Sequence, residues 1–246
     1  MLGLGASITN SSVQWRPTST AADLKLWLQP GITNFTVESS NISQWSDSSS
    51  NENHVTQGVA GNRAGLHAFP TGDLYRWGID FEHDNGDHYD LTSSIDIASD
   101  EAFMAFFVVE LESASSEGLL GESNNAFIDI NTTKKIKFKT TGTGGANTIP
   151  AFTGTPFATG AKFVLGIQRE AGTTGNLHIY KNGDLLTPDS QLANRGDIAI
   201  DTLGTKDAAA NSFDGAMWEV LVYDTVDLTA LEIAKVCAYL KNKHNL

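Results

Sequence analysis

The chain has 246 residues, 40% of them hydrophobic and 18% charged, with 29 acids against 16 bases and a formal net charge of −13. That composition describes a folded protein long enough for a sizeable core. It excludes nucleic acid, because no cluster of Lys and Arg is present to neutralise phosphates. It also gives no membrane span, for no apolar stretch approaches the ~20 residues needed to cross a bilayer. The single cysteine, Cys237, excludes an intrachain disulfide.

Residues 1–22 form a zone of their own. Met1-Leu2-Gly3-Leu4-Gly5-Ala6 is small and apolar, and Ser, Thr and Asn dominate the next stretch. Without helical or alternating periodicity the zone reads as a frayed terminus or as an N-terminal arm, and Leu2 and Leu4 favour an arm that docks on a partner, ahead of one domain over residues 23–246. It lacks the positive region and apolar run of a secretory signal, so synthesis in the cytoplasm without Sec-type export is expected. The body opens with a strand at Leu24-Lys25-Leu26-Trp27-Leu28, and a polar loop comes after Trp45. Residues 77–81 predict a strand, and Asp84-Asn85-Gly86-Asp87 a turn. Residues 103–109 are apolar on both faces and belong to a central strand. Residues 127–130 and 135–139 predict a hairpin; in the second arm Ile136 and Phe138 alternate with lysines. Residues 140–159, rich in Gly and Thr, predict a long contact loop. Further strands are expected at 162–168 and 176–181, with Asn182-Gly183 as a type I′ turn.

The last 34 residues are the most informative. A nine-residue apolar run ends at Tyr223 and has strand length. A helix start comes next, with Thr229 as N-cap, Glu232 completing a capping box, and Leu228 and Ile233 placed as a hydrophobic staple. Ile233, Val236, Cys237 and Leu240 make one apolar stripe, and Lys241, Lys243 and His244 suit the negative end of the helix dipole. On its stripe, Cys237 reads as a core thiol.

Four blocks in order resemble concanavalin A-like (laminin-G-like) lectin domains. They are the opening strand at residues 24–28, the Trp45-Ser46-Asp47 loop with its Ser and Asn run, the Asn182-Gly183 hairpin, and Phe213-Asp214-Gly215 leading to the final strand and helix. The resemblance implies an all-β fold: a concanavalin A-like jelly-roll sandwich of two antiparallel sheets with one C-terminal α-helix. The arm, the single sandwich, the acidic composition and the lack of a secretion signal are together similar to virion proteins of tailed phages, marine ones especially.

Candidate chemistry is sparse. Glu82-His83-Asp84-Asn85-Gly86-Asp87 approximates the glutamate-x-aspartate-x-x-glutamate motif of lectin-fold glycan hydrolases. A retaining pair needs its carboxyls about 5 Å apart on one face, and Asn85-Gly86 puts a turn inside the motif, so no catalytic residue is assigned. Glu219 and Asp80 lie in apolar strands; a carboxylate there needs partners, and backbone N–H groups of loops are the expected ones. The resemblance implies calcium as an optional ligand, with oxygens from Asp84, Asn85 and Asp87, or from Asp47, Asn51 and Asn53. The six dispersed histidines give no zinc pattern. For a sugar, Tyr75, Arg76 and Trp77, near His67 and Asp73, offer aromatic and polar groups, and Trp15-Arg16 offers another exposed aromatic.

These readings lead to a non-enzymatic structural virion protein, a capsid decoration or fibre-associated protein. The arm would bind other virion proteins, and the chain would be lattice-bound or homo-oligomeric. A carbohydrate-binding adhesion module for cell-surface glycan is the alternative, and a glycan-cleaving enzyme the third reading. No cofactor is required.

Overall fold

A computed structural model describes residues 15–20, 22–68, 73–113, 117–122, 126–133, 135–142, 147–148, 156–187, 192–206 and 211–246. The strands in chain order are β1 (Asp23–Leu28), β2 (Phe35–Glu38), β3 (Asn41–Trp45), β4 (Val55–Thr56), β5 (Gly65–His67) and β6 (Gly78–Phe81). Then come β7 (Tyr89–Ile97), β8 (Ala102–Leu111), β9 (Glu117–Glu122), β10 (Ala126–Ile130), β11 (Ile136–Lys139) and β12 (Asn147–Thr148). The last are β13 (Phe163–Arg169), β14 (Leu177–Lys181), β15 (Asp184–Leu186), β16 (Ile198–Leu203) and β17 (Gly215–Thr225), before the helix α1 (Ala230–His244).

All pairings are antiparallel and they build two layers. In the first, β1 and β6 lie along one side of β17, and beyond it come β8, β13, β14 and β15. In the second the order is β2-β3-β4-β7-β16-β9-β10-β11-β12. β5 pairs with both β3 and β6 and joins the layers. The jelly-roll sandwich with one C-terminal helix is therefore the architecture observed.

Alternation explains the core. Along β8, Phe103, Ala105, Phe107, Val109 and Leu111 face the second layer and meet Ile128, Ile130, Ile136 and Phe138 from it. Met104, Phe106 and Val108 point the other way, into a smaller cluster with Ile233, Val236, Cys237 and Leu240 of α1. That is why β8 is apolar on both faces: one is covered by a sheet, the other by a helix. The helix is fixed as its sequence predicts. Thr229 accepts from the Glu232 N–H, the Glu232 carboxylate accepts from the Thr229 N–H, and Leu228 and Ile233 are both buried. Asn182 and Gly183 both have positive φ (53° and 93°), as a two-residue hairpin between β14 and β15 requires. This turn passes close to the helix, since a Cβ on Gly183 would meet Cys237 Cβ at 3.2 Å.

One expectation needs correction. The stretch 140–159 is not one irregular loop, because Thr141 bridges Asp197 and β12 pairs with β11; residues 143–146 and 149–155 lie outside the described residues. The arm expected over 1–22 is, in its described part, seated on the chain's own sandwich. Pro17 is buried in a 3-10 turn (Pro17–Ser19), and the Tyr223 hydroxyl donates to the Pro17 carbonyl at 3.1 Å. Residues 1–14 lie outside the described residues.

Candidate functional site

The helix has a second face. Lys235, Tyr239 and Asn242 recur at i, i+4 and i+7, beside the buried stripe. Tyr239 meets Trp15 edge-on with centroids 6.1 Å apart, and Trp27 at 6.4 Å. The result is a groove of about 780 Å³ between α1 and the segment leading into β1. Trp15, Trp27 and Tyr239 supply its aromatic surface; Arg16, Lys235 and Lys243 supply cations. Gln29, Ser48 and Asn242 complete the polar lining.

Beneath this groove lies Glu219. The register of β17 against β8 slips between Met217 and Glu219, a bulge that gives β17 one extra residue. Strict alternation from Met217 would aim Glu219 into the sandwich; the bulge turns it toward the helix instead. It is 0% exposed. Its partners are side chains rather than the loop N–H groups expected: the Trp27 indole N–H at 2.8 Å, the Tyr239 hydroxyl at 3.1 Å, Lys243 Nζ at 2.9 Å and His244 Nε2 at 2.7 Å. Burial alone would raise its pKa, but the His244 hydrogen bond and the Lys243 charge outweigh burial and hold it below the ordinary value. His244 is lowered by its own burial, and its Nδ1 has no partner among the described residues. We assign the neutral imidazole with hydrogen on Nε2, leaving Lys243 as the cation of the pair. Lys243 Nζ is fully engaged, donating also to the Tyr239 hydroxyl at 2.8 Å and to Gln29 Oε1 at 3.0 Å.

On the other side of Trp218 the same sheet face is acidic and open. Asp80 of β6 and Glu110 of β8 both stand opposite Ala216 of β17, and Glu82 and Glu112 follow just past the ends of those strands. His67 Nδ1 lies 3.1 Å from Asp80 Oδ1, a hydrogen bond that holds the imidazole above its ordinary pKa against burial. Glu82 and Glu112 are both pushed up, by burial first and then by Asp80 and Asp214. Ligand atoms of His67, Asp80 and Glu112 lie within 4.8 Å of one another, the one such group among the described residues.

The residues named from sequence fall in several places. Arg76 is half-buried with Nε 3.5 Å from Asp73 Oδ2. Trp77 packs on the sandwich core with its indole N–H buried, so it is not an open platform. Tyr75 belongs to the 3-10 turn Leu74–Arg76, and its side chain lies outside the described residues. Asp84 and Asn85 are exposed, whereas Asp87 is turned inward, accepting the Glu82 N–H at 2.9 Å. Burial raises the Asp87 carboxyl to about 6. Asp47 is spent within its own loop, accepting from the N–H groups of Trp27, Ser49 and Asn53 at 2.8 Å and from the Ser49 hydroxyl at 2.6 Å. Asn51 donates to the Leu24 carbonyl at 2.8 Å and Asn53 to that of Ser93 at 2.8 Å. Of the groove, sequence reading singles out Trp15 and Arg16. The i, i+4, i+7 spacing of Lys235, Tyr239 and Asn242 is the signal that was available for the rest.

No protein-family model matches the chain, and no curated protein does. Solved structures match it in fold. The binding domain of Paraclostridial Mosquitocidal Protein 1 superposes with a TM-score of 0.56 at 13% identity, over 92% of this chain and 54% of that one. The ligand binding domain of Botulinum neurotoxin serotype D, solved with N-acetylneuraminic acid, gives 0.55 at 12% identity, over 91% and 52%. Trypanosoma rangeli sialidase in complex with sialic acid gives 0.52 at 14%, over 89% and 33%. The chain thus spans about half the length of the first two structures and a third of the last. At these identities the likeness is one of fold.

Proposed function

We propose that this chain is a non-enzymatic carbohydrate-binding module whose ligand lies in the groove between Trp15 and α1. The observation that carries the reading is the groove's make-up: aromatic rings of Trp15 and Tyr239 beside Arg16, Lys235 and Asn242, in a concavity large enough for a short oligosaccharide. Rings bury the apolar face of a sugar, and the polar groups fix its hydroxyls. The shared fold adds support, since two of the similar structures were solved with a sialic acid. The non-enzymatic part is supported by Asp87, which turns inward to accept the Glu82 N–H, and by a groove whose lining includes no carboxylate.

A glycan array and then calorimetry test the reading. Binding to at least one oligosaccharide class is expected, weakened about tenfold or more by Trp15→Ala and untouched by Glu82→Gln. Release of reducing ends by the parent chain, lost on Glu82→Gln, would make it an enzyme. A structural role in a phage particle is compatible with sugar binding. Its support is the apolar head of residues 1–6 on an acidic chain. Loss of incorporation on deleting residues 1–14 is its test.

A further inference from the structure

We infer that the groove takes a carboxylate-bearing saccharide in preference to a neutral one; the inference rests on the carbohydrate reading above and narrows it. The chain carries 29 acids against 16 bases, yet the groove lining has three cations, Arg16, Lys235 and Lys243, and no acid. Glu219, beneath the groove, is wholly buried behind Trp27 and Tyr239 and already neutralised by Lys243. Lys243 spends its donors on Glu219, Tyr239 and Gln29, so it shapes the floor and is not free to meet a ligand. Arg16 and Lys235 differ. Both are exposed, and neither side chain has a hydrogen-bond or ion-pair partner among the described residues.

These two cations frame Tyr239. Lys235 stands one helical turn before it on the same face, and the Arg16 side chain lines the groove beside it, its charge acting weakly on the hydroxyl against the rise that burial causes. A guanidinium fork beside an ammonium suits a single carboxylate, with Arg16 offering two parallel N–H donors and Lys235 a point charge. Aromatic rings alongside would hold the sugar ring that carries it. A long polyanion is disfavoured, because the net charge of −13 repels it everywhere beyond this patch.

The test uses the full chain and two matched ligand pairs: sialyllactose against lactose, and oligogalacturonate against its methyl ester. Calorimetry at low and high salt should show one acidic ligand binding about tenfold or more tighter than its neutral counterpart, with the preference shrinking as salt rises. Which pair shows it tells a sialic from a uronic acid. Arg16→Gln and Lys235→Gln should each erase most of the preference, while Trp15→Ala weakens whatever binds. Equal affinity within both pairs overturns the inference and leaves the carbohydrate reading standing. Binding that ignores Trp15→Ala, or no binding to any oligosaccharide, sinks both.

Discussion

Alternation along β6 and β8, and the bulge in β17, put carboxylates on the outer face of the first layer on both sides of Trp218, and the molecule treats the two sides differently. On the covered side Glu219 is wholly buried, and the last turn of α1 brings Lys243 and His244 to it. On the open side Asp80, Glu82, Glu110 and Glu112 stand without a helix above them, and His67 is the cation close to Asp80. The first side shows a charge made tolerable by partners placed around it; the second shows carboxylates that keep access to water, with His67 and Lys162 as nearby cations. A buried pair is costly to form and costlier to break, because removing one partner strands the other. A surface cluster has no such dependence.

The largest break in this comparison is Val236→Asp. Val236 is 0% exposed on the stripe that seals the covered side, so an unpaired carboxylate there should cost roughly 5 kcal/mol and lower the melting temperature by roughly 10 °C or more. A variant that melts with the parent would make the helix peripheral. Next is Glu219→Ala, which leaves Lys243 mostly buried without its carboxylate and opens a void beneath Tyr239. The expected loss is about 3–5 kcal/mol, measured by urea unfolding. A further loss of sugar affinity in this variant would show that Glu219 holds Tyr239 in place at the groove.

The boundary between the sides can be broken too. A Cβ on Gly78 would meet the Met217 carbonyl at 2.5 Å and Trp218 Cδ1 at 2.8 Å. Trp218 is wedged between that glycine, the His67 ring at 5.1 Å and Lys162 Nζ at 4.8 Å. Gly78→Ala should therefore cost about 1–3 kcal/mol as overpacking, with the Trp218 fluorescence shifting because the indole is displaced.

The range of each interaction decides how much of it is legible in sequence. The capping box at Thr229 and Glu232, the stripe from Ile233 to Leu240 and the Asn182-Gly183 turn are set within a few residues, so local pattern reads them. The double-sided apolarity of β8 shows that both faces are covered, though not by what. Glu219 is visible as a buried carboxylate in need of partners, but its real partners depend on a bulge at Trp218 and on where the far end of α1 lands. Neither leaves a trace in periodicity. The groove escapes for the same reason: Trp15 and Tyr239 come from opposite ends of the chain and meet only once β1 has paired with β17. Trp77 misleads in the opposite sense, an aromatic beside Arg76 that packs inward on the core.

The smallest expected effect separates the two sides by sign. The carboxyl of Glu112 is pushed above its ordinary value, by burial and then by Asp80 and Asp214, so the folded chain binds its proton more tightly than the unfolded chain does. Its charge is thus a cost at neutral pH, removed as pH falls through the folded value toward the ordinary 4.5. Glu219 runs the other way. Its folded value is held below 4.5, so its contribution is complete above that point and is lost as pH falls through the folded value. Glu112→Gln should therefore stabilise the protein near neutral pH, by no more than about 0.5 kcal/mol once solvent screening of an exposed side chain is allowed for. The gain should shrink in high salt and vanish in acid, where the parent carboxyl is itself neutral. Urea unfolding across that pH range, with parent and variant side by side, reads it directly. Destabilisation by Glu112→Gln at neutral pH would mean that the nearby His67 charge outweighs burial and the neighbouring carboxylates, and the open side would then be a paired cluster like the covered one.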